Sequence, residues 1–195
     1  QTFFNSANRV ISLSWLRTAN YYSPYTGMMS LPKELTLQRS ESGLILEQRF
    51  VREICSRLVT TASNTLTDRF DHVHIGGAFQ LKFEIDRGIA PSDPDTAEVD
   101  ILERKLMLDF RSRTCTIGNT VFRLPRKQQL DFDIFVDHGV IEILVDSGTI
   151  YAATEFYFAS LTGNIRMNAS SGNIFRNIEI NDFVRNKDAG ANAGK

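Results

Sequence analysis

The run Glu98-Val99-Asp100-Ile101-Leu102-Glu103 comes closest to acid/base chemistry in this chain, because it sets three carboxyl groups within a few residues. Cleavage of a glycosidic bond with retention needs two such groups about 5 to 5.5 Å apart, one ionised and one protonated. On a strand, Glu98 and Asp100 share a face, and Glu103 points to the other side unless a bulge intervenes. Basic residues, Arg104-Lys105, follow directly, and the sole tryptophan, Trp15, lies far upstream of any sugar these acids would hold. The plainer reading is a solvated acidic strand edge and loop, so no residue is assigned as catalytic.

Binding chemistry has two further candidates. Trp15, Tyr21, Tyr22 and Tyr25 cluster in sequence, and aromatic faces suit the C–H surfaces of sugars. The competing expectation puts Trp15 in the strand core and the tyrosines at a packing edge with their hydroxyls hydrogen-bonded. Asp137 and Glu142 flank the turn His138-Gly139 and could accept bonds from sugar hydroxyls, although exposed charges at a hairpin end need no such duty. His72 and His74 would share one strand face, but no third ligand stands nearby in sequence, so no metal site is assigned. Cys55 and Cys115 are too few for a disulfide framework and lack zinc spacing, which makes them buried apolar thiols. No cofactor motif is present. The sequon Asn168-Ala169-Ser170 predicts a surface loop.

Composition narrows the class. The 195 residues carry a net charge of −1, and no block of like charges is long enough to suggest a nucleic-acid or anionic-membrane partner. Apolar runs are short and interrupted by charges, far below the roughly 18 to 20 residues of a spanning helix. No basic start followed by an apolar stretch opens the chain.

Alternation of period two dominates what remains. Val10 to Leu16 alternates, and Leu35, Leu37, Leu44 and Leu46 bracket the turn Ser40-Glu41-Ser42-Gly43. Phe79 to Ile85, Leu106 to Phe110, Leu130 to Val136 and Ile141 to Val145 repeat the pattern, the last two joined at His138-Gly139 as a hairpin. GTIYAATEFYF, NIRMNA and NIFRNIEINDF complete it. Helical spacing from Leu46 to Leu58 competes locally. The expectation there is strand through Gln48, then a short irregular or helical piece. Residues 60–69 and 88–96 are predicted loops. The fold class is all-β, a two-sheet antiparallel β-sandwich of the concanavalin or lectin-like jelly-roll kind. Residues 1–8 read as a linker, 9–183 as the sandwich and 184–195 as a disordered tail.

RVISLSWL, GMMSLPKEL, LILEQ, KLMLDFRSR and FDIFVDHGVIEILVDSGTIYAATEFYF occur in this order. In that order the chain resembles the C-terminal β-sandwich of glycoside hydrolase family 32, over residues 9 to 183. SLPKEL and VDHGVIEILVDSG are the most specific pieces. The resemblance implies an N-terminal five-bladed catalytic propeller as partner, fructose-containing sugars as the substrate class, and three acidic motifs that this chain lacks. Its Asp93-Pro94, Asn181-Asp182 and Cys55 fall in other contexts, so no catalytic role carries over. The Glu98–Glu103 run separately matches the Glu-x-Asp-x-x-Glu pattern of family 16 glycanases.

The resulting expectation is a non-catalytic sandwich that packs against and stabilises the propeller. A stand-alone fructan-binding module is the alternative, and a family 16-like glycanase using Glu98 and Glu103 is the third reading. Association of copies through sheet faces or edges is a further expectation. Localisation is left open, with an extracytoplasmic site favoured if the parent acts on polymeric fructan.

Overall fold

The computed structural model describes residues 1–6, 8–17, 27–40, 43–88, 95–156, 160–170 and 172–184. Two six-stranded antiparallel sheets form the sandwich. One contains, in spatial order, β13 (Thr120–Arg123), β12 (Thr114–Ile117), β11 (Arg104–Asp109), β10 (Thr96–Ile101), β17 (Gly163–Ala169) and β8 (Arg69–His74). The other contains β16 (Ile150–Glu155), β15 (Val140–Val145), β14 (Gln129–Asp137), β9 (Phe79–Asp86), β18 (Ile174–Phe183) and β7 (Leu58–Thr67). The concanavalin-like class read from periodicity is therefore the observed one at the level of two packed antiparallel sheets.

Their facing side chains make one core. Val99, Ile101, Leu106, Leu108, Ile165 and Met167 come from the first sheet, and Phe79, Leu81, Phe83, Ile134, Ile143 and Ile180 from the second. Inward-pointing residues alternate along these strands, with a bulge in β18, so each strand supplies two to four apolar groups at successive depths. Phe83 anchors the layer, stacked on Phe132 at 4.8 Å and edge-on to Phe175 at 5.5 Å.

A third, four-stranded sheet runs in order β1 (Thr2–Ser6), β2 (Arg9–Ser12), β5 (Lys33–Ser40) and β6 (Gly43–Phe50). Between β2 and β5 the chain makes a small excursion, in which β3 (Trp15–Leu16) pairs with β4 (Met28–Met29). A single helical turn, α1 (Arg52–Cys55), links β6 to β7. The strand expected through Gln48 thus continues to Phe50, and the helical spacing yields only four residues.

One end of this third sheet covers the outer face of the second sandwich sheet. Phe50 sits edge-on to Phe135 at 4.6 Å, and Leu144, Leu31, Ile54, Tyr151 and Phe183 complete a second, smaller apolar cluster. That contact explains why all six residues of β15 are buried. Ile141, Ile143 and Val145 face the main core, while Val140, Glu142 and Leu144 face the appended sheet.

Three expectations need correction. The loop predicted for 60–69 is strand β7, paired along its length with β18. It is an edge strand with Ala62 packed against the core and mostly exposed polar residues elsewhere, so it lacks the apolar alternation that betrays a half-buried strand. The stretch 1–8 read as a linker contains β1, hydrogen-bonded to β2. The sequon does not lie in a loop: Asn168 is the penultimate residue of β17, exposed between Glu98 and Arg69 of the neighbouring strands. Residues 89–94 of the second predicted loop and 185–195 of the predicted tail lie outside the described residues.

Candidate functional site

Glu98 and Asp100 do share the outer face of β10, while Ala97, Val99 and Ile101 fill the core. Register sets a row of alternating charge across this face, Asp71 opposite Arg166, Arg166 opposite Asp100, and Asp100 opposite Lys105. Glu98 is drawn into the row by the Lys105 ammonium at 2.9 Å, and this partner raises the lysine pKa. Opposite charges that face one another across strands favour this pairing of the sheet.

Glu103 stands elsewhere. It occupies the two-residue turn Leu102-Glu103, both at positive φ (52° and 70°), as a tight right-twisting hairpin requires. It is exposed there, while Leu102 is buried. Glu98 and Asp100 thus lie on the outer face of β10, and Glu103 lies at the tip of the hairpin.

The polar cluster that the structure does build joins the two most specific sequence motifs. Glu142, read from sequence as an exposed hairpin-end charge, is 1% exposed. Its Oε1 accepts the Leu31 N–H at 2.6 Å, and its Oε2 accepts the Tyr151 hydroxyl at 2.7 Å and lies 3.3 Å from Lys33 Nζ. Lys33, also 1% exposed, donates in addition to Ser30 Oγ and the Leu31 carbonyl at 3.1 Å, and lies 4.0 Å from the centre of the Tyr151 ring. Ser30 Oγ accepts the Ser14 N–H. Burial lowers the Lys33 pKa against the opposing pull of Glu142. Burial and the Glu142 charge raise that of Tyr151.

With its donors and acceptors so engaged, this cluster is a clasp between the appended sheet and the sandwich. Sequence reasoning missed it. The available signal was a glutamate at an outward position in the otherwise apolar run VIEILV.

The remaining candidates are dispersed. Trp15, expected in the core, is 61% exposed on β3. A Cβ on Gly27 would lie 2.0 Å from its indole nitrogen, so only glycine leaves room for the ring. Tyr21, Tyr22 and Tyr25 lie outside the described residues. Asp137 is exposed and accepts the N–H of His138 at 2.7 Å. His74 is buried, with Nε2 at 3.1 Å from the Gly77 carbonyl. Among the described residues, no three His, Cys, Asp or Glu side chains converge as metal ligands. Both cysteines are free thiols.

Beside the clasp, Gln48, Asp131, Asp133, Leu144 and Gly148 line an open cleft of about 210 Å³, below the roughly 300 Å³ at which ligand pockets begin. Burial pushes the Asp133 carboxyl up to about 6, and the Gln80 amide donates to it at 2.6 Å.

The polar cluster thus joins an appended sheet to an antiparallel sandwich. No protein-family profile matches the chain. A sucrose-6-phosphate hydrolase of Vibrio alginolyticus is 25% identical over 177 residues, taking in 83% of this chain and 34% of the relative. The fold recurs in an exo-inulinase from Aspergillus awamori, with a TM-score of 0.72 at 16% identity over 92% of this chain and 41% of the inulinase. It recurs again in a glycoside hydrolase family 32 protein from Bifidobacterium adolescentis, with a TM-score of 0.68 at 19% identity over 94% and 31% of the two chains. The chain therefore spans about a third of the curated relative it matches, and its fold recurs in part of each of these larger chains.

Proposed function

We propose that this chain is the non-catalytic β-sandwich portion of a sucrose- or fructan-cleaving hydrolase of the family 32 type, and that its work is to pack against and stabilise a catalytic propeller. The observation that carries this reading is partial coverage. Nearly all of this chain superposes on fructosidases of which it makes up well under half. The chemistry agrees, because Glu98 is paired with Lys105 and Glu103 stands in an exposed turn, and retaining cleavage needs a facing carboxyl pair.

Assays of the purified chain on sucrose, inulin and levan test this reading directly. No release of reducing sugar is expected, and turnover by the chain alone would refute it. The alternative, a stand-alone fructan-binding module, draws on the exposed Trp15 ring. Affinity electrophoresis in levan or inulin gels separates the two. A structural domain migrates unshifted, and retardation abolished by Trp15→Ala would favour the binding module.

A further inference from the structure

The second sandwich sheet ends in β7, whose strand partner among the described residues is β18 alone. Its ten residues, LVTTASNTLT, hold no charge, no proline and no glycine. Sheet edges are ordinarily blunted by charge, proline or shortness, because an open row of N–H and C=O groups pairs with any strand that reaches it. The other edges of the two sandwich sheets follow that rule. β8 carries Arg69 and Asp71, β13 has four residues and ends in Arg123, and β16 has six and ends in Glu155. Against these, β7 is longer and uncharged, and its four threonines and one valine favour extended backbone. Asn64 Oδ1 accepts the Leu66 N–H at 3.0 Å, so a side chain and not a neighbouring strand covers that group.

Val59 and Leu66 are the large apolar residues that β7 leaves exposed, at 53% and 50%. They stand symmetrically, one residue in from each end of the strand. They also share a face. Leu58 packs into the smaller cluster with Phe183 on the outer side, so Val59 points to the inner side. Ala62 packs against the main core, and alternation from it puts Leu66 on the inner side as well. A register shift beside Ile180 and Asn181 lets residues an odd number of positions apart do this.

We infer that β7 pairs antiparallel with β7 of a second copy of this chain, about a two-fold axis between Ala62 and Ser63. In that register Val59 of each copy lies opposite Leu66 of the other, and Thr60 lies opposite Thr65. Each exposed apolar side chain gains an apolar neighbour, twice, and no like charges meet. The contact is self-complementary and closes at two copies, as a two-fold interface must. It is independent of the function proposed above, since it uses a sandwich edge and no catalytic partner.

The test uses the full chain with Cys55→Ser, in which Cys115 stays buried. Val59→Cys with Leu66→Cys should form disulfides between copies under mild oxidation, and peptide mapping should join position 59 of one copy to position 66 of the other. Either cysteine alone should give no covalent dimer, because like positions would stand about 23 Å apart across the axis, as positions 59 and 66 do within one chain. Light scattering of the unsubstituted chain should show dimer growing in as concentration rises toward about 1 mM, the range of a contact of small area. Ser63→Lys with Thr65→Lys should return it to monomer with an unchanged thermal midpoint. If the lysines unfold the chain, the cysteine pair decides alone. A chain that is monomeric throughout, a dimer that survives both lysines, or cross-linking by a single cysteine overturns the pairing. In the first case the edge belongs to a strand other than a second β7.

Discussion

Lys33 and Glu142, 109 residues apart in sequence, form a buried ion pair with 3.3 Å between Nζ and Oε2 and side-chain exposures of 1% and 2%. Desolvating both charges is costly, and their attraction offsets that cost only because Leu31, Ser30 and Tyr151 supply the remaining hydrogen bonds. Removing one partner strands the other. Lys33→Met is expected to cost about 3 to 5 kcal/mol in urea unfolding at pH 7, and Lys33→Met with Glu142→Leu should cost clearly less than the sum of the two single changes, although the Leu31 N–H and Tyr151 hydroxyl then lose their acceptor. Additive single and double effects would show that the two groups are not coupled.

Asp133 gives a pH signature of defined sign. Its folded-state pKa is raised to about 6 by burial, above the ordinary 3.8. The folded chain therefore holds a proton that the unfolded chain releases. The stability this group contributes is complete below about pH 4 and is lost as pH rises through about 6. Asp133→Asn should stabilise the protein by about 1 to 3 kcal/mol at pH 7 to 8 and change little at pH 4. Denaturation midpoints measured across this range check it, and a difference independent of pH would contradict it.

Gly148 sits at φ +78°, where a Cβ would come within 1.8 Å of the Gln48 carbonyl oxygen. The strand β6 approaches that turn too closely for any side chain. Gly148→Ala should destabilise by roughly 2 to 4 kcal/mol, and hydrogen exchange should show the loss of protection centred on β6 rather than on the sandwich core. A loss spread evenly over β9 and β14 would argue against this local cause.

The two thiols should separate by reactivity. Cys115 is fully buried between the sheets, and burial drives its pKa far up. Cys55 is half-buried beside the second cluster, with a smaller rise of the same origin. Because the thiolate is the reacting species, iodoacetamide at pH 8 should label Cys55 slowly and Cys115 only after unfolding. Equal labelling of the native chain would contradict the depth assigned to Cys115.

What the chain declares locally is its strands, and what it conceals is which faces meet. Phe79 to Ile85 and Leu106 to Phe110 announced themselves by alternation because one side of each faces a single apolar core, whereas the alternation of Ile174 to Ile180 is broken by a bulge at Asn177. Leu58–Thr67 did not, since an edge strand backed mostly by polar residues carries no such contrast. In sequence Glu98 reads as a solvated strand-edge acid, yet β10 lies between β11 and β17, and Glu98 pairs with Lys105 on the outer face of the sheet while Ala97 and Val99 take the core. Glu142 was not legible. Whether its face meets water depends on strands contributed from residues 30 to 50, and nothing in the local run VIEILV encodes their arrival. Period and turn chemistry by themselves determined an antiparallel sandwich, because side-chain direction along a strand is a local property. The clasp, the open edge of β7 and the exposure of Trp15 were decided only by tertiary structure, because burial depends on what packs from elsewhere in the chain.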